Sequence, residues 1–196
     1  QVNERHTFLA TQRDDLLSAK NQLFETMEEM DAEVRARFKE VFEAIRQEFK
    51  VVFPNMFGGG RAELVLTDPS DLLKTGIEIE VQPPGKKLQS LSLLSGGERA
   101  LTAIALLFSI IRVCPVPFCI LDEVEAALDE ANVKRFGRYL SDFQDDTQFI
   151  VVTHRKGTMV AADVLYGVTM QESGVSKIVS VRMEDINEEG KMETKV

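Results

Sequence analysis

The chain has 196 residues, 44% hydrophobic and 28% charged, with 32 acidic against 23 basic side chains and a net charge of −9. That length and balance suit one globular domain with a sizeable core. The acidic surplus excludes a chain that grips nucleic acid by charge over its whole surface, while leaving a local basic patch open. No apolar run approaches the ~20 residues that span a bilayer and no signal peptide is visible, so the expectation is a cytoplasmic protein without a membrane partner. Cys114 and Cys119 are too close in sequence to staple a loop usefully and form no Cys-x-x-Cys, so both read as buried thiols in a reducing compartment.

Residues 1–53 contain no glycine or proline and read as helix. Leu9, Leu16, Leu23 and Met30 recur every seven residues, a coiled-coil seam with poor partners at the other core positions. From Val34 the spacing Val34, Phe38, Val41, Ile45, Phe49, Val52 gives an amphipathic face. One continuous helix of this size is ~75 Å long, too long for a compact domain, so its first half is expected to project. Arg35, Arg37 and Lys39 are interleaved with Glu33, Glu40 and Glu43 and read as a solvated face. His6 reads as a surface histidine on the same helix. Pro54 is expected to end the helix, and Gly58-Gly59-Gly60 to make a flexible turn. Ala62, Leu64 and Leu66, then Ile77, Ile79 and Val81, alternate with other residues as in half-buried strands, expected as an antiparallel pair. Pro83 to Lys87 closes that unit.

Ser95 and Glu98 have the S-x-x-E spacing of a capping box. Residues 100–111 are apolar almost all round, so a buried helix is expected there. A capped helix start with Gly96 and Gly97 at its mouth offers free N–H groups that suit a phosphate; an ordinary capped helix has the same spacing. Phe118 to Leu121 is an apolar strand ending at Asp122 and Glu123. Val133, Phe136, Leu140 and Phe143 mark an amphipathic helix, and Phe149 to Val152 a second apolar strand before Thr153-His154. Strand, helix and strand at this spacing predict two parallel, buried strands. Asp122, Glu123 and His154 then emerge at the carboxyl edge, where open α/β sheets bind ligands. Leu165 to Met170 and Val175 to Val181 predict a hairpin around Ser173-Gly174. Residues 185–196 are acidic and polar and are expected to fray.

Leu94-Ser95-Gly96-Gly97-Glu98, then Asp122-Glu123, then Ala127-Leu128-Asp129, then Thr153-His154 follow in an order that resembles the second half of an ATP-binding-cassette (ABC) ATPase: signature, Walker B, D-loop and switch histidine. The wider wording over residues 30–182 is similar to the C-terminal head segment of bacterial-type structural maintenance of chromosomes (SMC) proteins. The resemblance implies an α/β fold, the C-terminal lobe of an ABC-type ATPase head. It divides the chain into a coiled-coil end and neck helix (1–53), the half-head (54–184) and an acidic tail (185–196). It implies that Asp122 helps hold Mg²⁺, that Glu123 is the general base and that His154 contacts the γ-phosphate of ATP. Leu94, Ser95, Gly96, Gly97 and Glu98 would face a nucleotide held by another head, with Asp129 at the interface.

The partners implied are the N-terminal half of the head, a second head in an ATP-dependent homodimer, a kleisin subunit at the C-terminal strands or neck, and DNA. The function implied is chromosome condensation and segregation. A P-loop needs G-x-x-x-x-G-K-[ST]; around Gly85-Lys86, position 80 is Glu and position 87 is Lys. The expectation is half of a head, inactive without a separate P-loop segment. Other readings stay open. A coiled-coil ABC ATPase of DNA double-strand-break repair shares the signature and the projecting coil. A transporter nucleotide-binding domain usually has proline where Val124 stands and lacks the long preceding helix. The C-terminal hairpin could also serve chiefly as a docking surface.

Overall fold

The computed structural model describes residues 2–143 and 147–185. The tail expected to fray lies outside the described residues from position 186 onward. Two units emerge from the chain's internal contacts: Gln1–Ile45 with Val65–Glu78, and Arg46–Leu64 with Ile79–Val196.

In the first unit, α1 (Val2–Phe57) carries its heptad residues bare. Leu9, Leu16, Leu23 and Met30 are each more than half exposed, as a coiled-coil strand without its partner would be. Arg37 pairs with Glu33 one turn away at 2.6 Å, consistent with a solvated face.

The second unit holds the end of α1, where Phe49, Val52, Phe53 and Met56 are buried. Pro54 does not end this helix, contrary to the sequence expectation. The proline forfeits one bond to the Lys50 carbonyl, but the turn continues, with the Phe53 and Phe57 rings stacked at 4.1 Å. The stop comes at Gly58-Gly59-Gly60, whose φ values of 74°, 137° and 87° need glycine. The Gly59 N–H closes the end on the Pro54 carbonyl at 2.8 Å.

β1 (Arg61–Leu66), β2 (Ile77–Gln82) and β3 (Gln89–Ser90) form a sheet in that order. Ala62 and Leu64 are buried as expected, but in β2 only Val81 is; Ile77 is exposed. Glu63 of β1 receives Arg46, and Lys50 at 2.8 Å. Burial pushes the Glu63 carboxyl up, but the hydrogen bonds from Lys50 and Arg46 outweigh it and leave it below its ordinary value. β3 was not expected; it pairs antiparallel with β2, Val81 opposite Gln89, and a 3₁₀ turn at Leu91–Leu93 follows.

α2 (Gly96–Val113) buries Leu101, Ile104, Ala105, Phe108 and Ile111, the stripe of a 3.6-residue period. It is not buried all round as expected, since Ala103 and Ile110 face solvent. Phe108 is the hub of the core. Its ring lies 5.1 Å from Tyr139, 5.3 Å from Phe143, 6.0 Å from Phe136 and 6.1 Å from Phe149.

β4 (Phe118–Asp122) and β5 (Gln148–Val152) are parallel, in register from Phe118 opposite Gln148 to Asp122 opposite Val152. α3 (Glu130–Ser141) connects them. The expected burial of both strands is half right. Leu121 is buried and Phe149 packs toward Phe108, but Phe118, Ile120, Ile150 and Val152 are 56%, 60%, 48% and 51% exposed. Alternate residues of a strand point to opposite faces, and no described element covers the second face.

The two thiols are not both buried either. Cys114 is exposed, just past the last turn of α2, and Cys119 is half-buried; burial raises the Cys119 thiol above its ordinary value. A short helix, α4 (Lys156–Met159), was not expected. The hairpin was: β6 (Val164–Glu172) and β7 (Val175–Arg182) are antiparallel, with an irregularity between Met170 and Glu172. Gly174 turns it at φ 82°. Tyr166, Val168, Met170 and Ile178 on this hairpin are exposed. No helix among the described residues is long and apolar enough to cross a membrane.

Candidate active site

Ser95 caps α2 with φ −63° and ψ 162°, and the capping box is complete. The Ser95 Oγ accepts the Glu98 N–H at 3.4 Å, while Glu98 Oε2 accepts the Ser95 N–H at 3.1 Å and its Oγ–H at 2.7 Å. Lys86 Nζ, from the turn between β2 and β3, lies 2.8 Å from Glu98 Oε1. The Lys86 hydrogen bond, then that from Ser95, holds the Glu98 carboxyl below its ordinary value. A Cβ on Gly96 would meet nothing within 4 Å, so the helix mouth is open there; one on Gly97 would sit 2.8 Å from the Ala127 carbonyl. Gly97 therefore lets the segment leading to Asp129 lie directly on the helix start. Leu94 is buried beneath the turn.

Asp122 is the last residue of β4, with an exposed side chain. Glu123 follows in the left-handed region at φ 46°, a sparsely populated conformation for a residue with a Cβ. Its N–H bonds the Val152 carbonyl at 3.0 Å, extending the parallel ladder by one link. Across that link the His154 Nδ1 lies 3.3 Å from Glu123 Oε1. The two side chains are 66% and 56% exposed. Asp129 caps α3, accepting the Asn132 N–H at 2.8 Å and its side-chain amide at 3.0 Å.

The structure thus brings Asp122, Glu123 and His154 to one strand edge, and Gly97 against Ala127. It does not join Ser95 to them: among the described residues its side chain bonds only Glu98. Glu125 was missed. It is 1% exposed, and its Oε1 accepts the hydroxyls of Thr153 and, at 3.0 Å, Thr158. An acid set among Val124, Ala126, Ala127 and Leu128 was the available signal. Among the described residues no three His, Cys, Asp or Glu side chains form a metal cage. Asp122 is an exposed carboxylate, and Mg²⁺ can be held through a single carboxylate when water and phosphate supply its other ligands.

The chain that carries this strand pair and capped helix has the fold of SMC ATPase heads, as alignment with solved structures shows. The chain aligns with the Smc head domain of Pyrococcus furiosus, solved with an extended coiled coil and bound to the C-terminal domain of ScpA. That alignment has a TM-score of 0.74 and 40% identity, covering 93% of this chain and 46% of that one. A structure described under ATP-driven dimerization and DNA-stimulated activation of SMC ATPases aligns with TM-score 0.70 and 41% identity, covering 76% of this chain and 91% of that one.

The chain belongs to the SMC family: the family model described as RecF/RecN/SMC N terminal domain matches residues 4–177. It is 68% identical over 188 residues to the chromosome partition protein Smc of Bacillus subtilis (strain 168), covering 96% of this chain. It is 62% identical over 191 residues to that of Lactiplantibacillus plantarum (strain ATCC BAA-793 / NCIMB 8826 / WCFS1), covering 97% of this chain. The chain spans 16% of the length of each of these relatives.

Proposed function

We propose that this chain is the C-terminal half of an SMC head that hydrolyses ATP in chromosome partition, and that it acts only with a segment supplying the P-loop. The observation that carries the reading is the Glu123–His154 pair, 3.3 Å apart at the carboxyl edge of two parallel strands. Glu123 is the base that takes a proton from the attacking water; its exposed carboxylate leaves room for one. His154, within reach of that carboxylate, contacts the γ-phosphate and orients the base. Asp122 would hold Mg²⁺, which supplies charge neutralisation on the phosphates when bound. The helix mouth, open at Gly96, suits a phosphate on its N–H groups. In this reading the phosphate is the γ-phosphate of ATP held by a second head, with Asp129 at the seam.

The bare face of β4 and β5 favours a complementary segment that covers it. The exposed apolar hairpin β6–β7 suits a kleisin-type partner. DNA is engaged through the whole protein, in the cytoplasm at the nucleoid. The level of identity to chromosome partition proteins favours this over a break-repair ATPase.

Calorimetry tests the reading. The chain alone is expected to show no tight Mg·ATP binding, and a P-loop-bearing segment is expected to restore it; tight binding by the chain alone overturns the half-head. In the assembled head, Glu123→Gln is expected to keep ATP binding and lower hydrolysis by about 10²–10⁴-fold.

A further inference from the structure

We infer that Glu125 is a positioning residue for the hydrolytic pair, a buried clasp between the loop that carries Glu123 and the loop that carries His154. The inference rests on the proposed role of Glu123 as base. The side chains of Glu123 and His154 are 56% and 66% exposed, so packing does not hold them. What holds them lies underneath. Two successive turns fix the Glu125 backbone: the Ala126 N–H bonds the Glu123 carbonyl, and the Leu128 N–H bonds the Glu125 carbonyl, both at 3.0 Å. From there the Glu125 side chain crosses to the other loop, where its Oε1 accepts the Thr153 and Thr158 hydroxyls. Thr153 immediately precedes His154, and its Oγ accepts the N–H of Arg155, which immediately follows, at 3.0 Å. One hydroxyl therefore brackets His154 on both sides and ties it to Glu125. A second strap runs beside it, from the Arg155 guanidinium to the Leu128 carbonyl at 2.9 Å.

Packing alone does not explain an acid here. Glu125 is 1% exposed, and its Oε2 is buried with no hydrogen-bond partner among the described residues. A buried polar atom without a partner is destabilising, and an alkyl side chain of similar size would fill the space without that penalty. The alkyl chain could not accept two hydroxyls from the opposite loop. The carboxyl's distinctive contribution is the crossing bond, which sets the distance between base and histidine.

The test is steady-state hydrolysis in the full-length ATPase carrying this chain. Glu125→Leu removes the acceptor at similar size, and Thr153→Val removes the donor with little change of shape. Each is expected to lower kcat about 10- to 100-fold, as small misplacements of reacting groups do, with KM for ATP and ATP-driven dimerisation within about twofold of wild type. Glu125→Gln and Thr153→Ser, which keep an acceptor and a hydroxyl, are expected to recover most of the rate. In a Glu123→Gln background, the loss caused by Glu125→Leu is expected to shrink, because no base is left to position and only the His154 contact remains to be displaced. The inference is overturned if Glu125→Leu and Thr153→Val leave kcat unchanged, if KM rises in step with the loss, or if the loss persists in full without Glu123. Normal hydrolysis by Glu123→Gln alone overturns the assignment of the base itself, and the inference with it.

Discussion

Glu98 links two features that are separate in the sequence: Ser95, the cap of α2, and a lysine twelve residues upstream. Its carboxylate takes the Ser95 N–H and hydroxyl on Oε2, and Lys86 Nζ reaches both oxygens, donating to Oε2 at 3.0 Å and lying 2.8 Å from Oε1. In this geometry the serine hydroxyl points at its own cap, so binding a phosphate requires it to turn away from Glu98. Lys86 keeps the carboxylate compensated when it does. The Glu98 carboxyl is held below its ordinary value of 4.5, so the folded state favours the ionised form. That contribution is fully present above the unfolded-state value and is lost as pH falls through the folded-state one. Ser95→Ala is expected to cost about 1 kcal/mol at pH 7 by urea unfolding. The gap between wild type and Glu98→Gln is expected to shrink once the pH drops below 4.5. An equal gap at pH 7 and pH 3 would remove the ionised carboxylate from the cap. Because the Lys86 side chain is 50% exposed, salt should narrow the same gap at neutral pH.

Among the elements, α2 joins this cap to the core, and β4–β5 presents a bare apolar face. Phe108→Ala, at the centre of four aromatic rings, is expected to destabilise the chain by about 3–5 kcal/mol. Ile120→Ser, at a 60% exposed position, is expected to change the chain's own stability by less than about 0.5 kcal/mol. The same substitution should weaken association with the proposed complementary segment, as read by titration calorimetry; unchanged association would take Ile120 out of the proposed interface. The strand is as apolar as a buried one while its face is bare. That is why Phe118, Ile120, Ile150 and Val152 misled a burial reading: their pattern describes a covered strand, and the described residues hold no cover. Periodic stretches were legible, namely the heptads of α1, the stripe of α3 and the hairpin β6–β7. β3 and α4, two and four residues long, are too short to show a period. Pro54 misled because its lost bond falls in the last turn, where packing of Phe53 and Met56 continues the helix. The strand-edge positions of Asp122, Glu123 and His154 and the capping box were legible from spacing. Glu125 was not, because one acid in a short apolar run has no period and declares itself only through the threonines it meets.

For the whole molecule the decisive separation is between Ser95, whose side chain bonds within its own cap, and Glu123, which pairs with His154. In the proposed function, one copy carries two half-sites. On that proposal, each site of a two-fold dimer of heads would take Glu123 from one copy and Ser95 from the other. Ser95→Arg puts bulk and charge where the neighbour's phosphate would sit, and Glu123→Gln removes the base, so either mutant alone has two defective sites per dimer. A mixed dimer has one site with both residues intact and one with both lesions. With equal random mixing, half the dimers are mixed and half of their sites work. Hydrolysis should then return to about a quarter of wild type, provided the sites fire independently and both mutants dimerise equally well. Steady-state ATPase of the assembled heads, compared with each mutant alone, measures it. No recovery, with mixed dimers verified by tagged pull-down, would mean that Ser95 serves its own head or that both sites must fire together. Normal hydrolysis by Ser95→Arg alone would reduce Ser95 to the cap of α2.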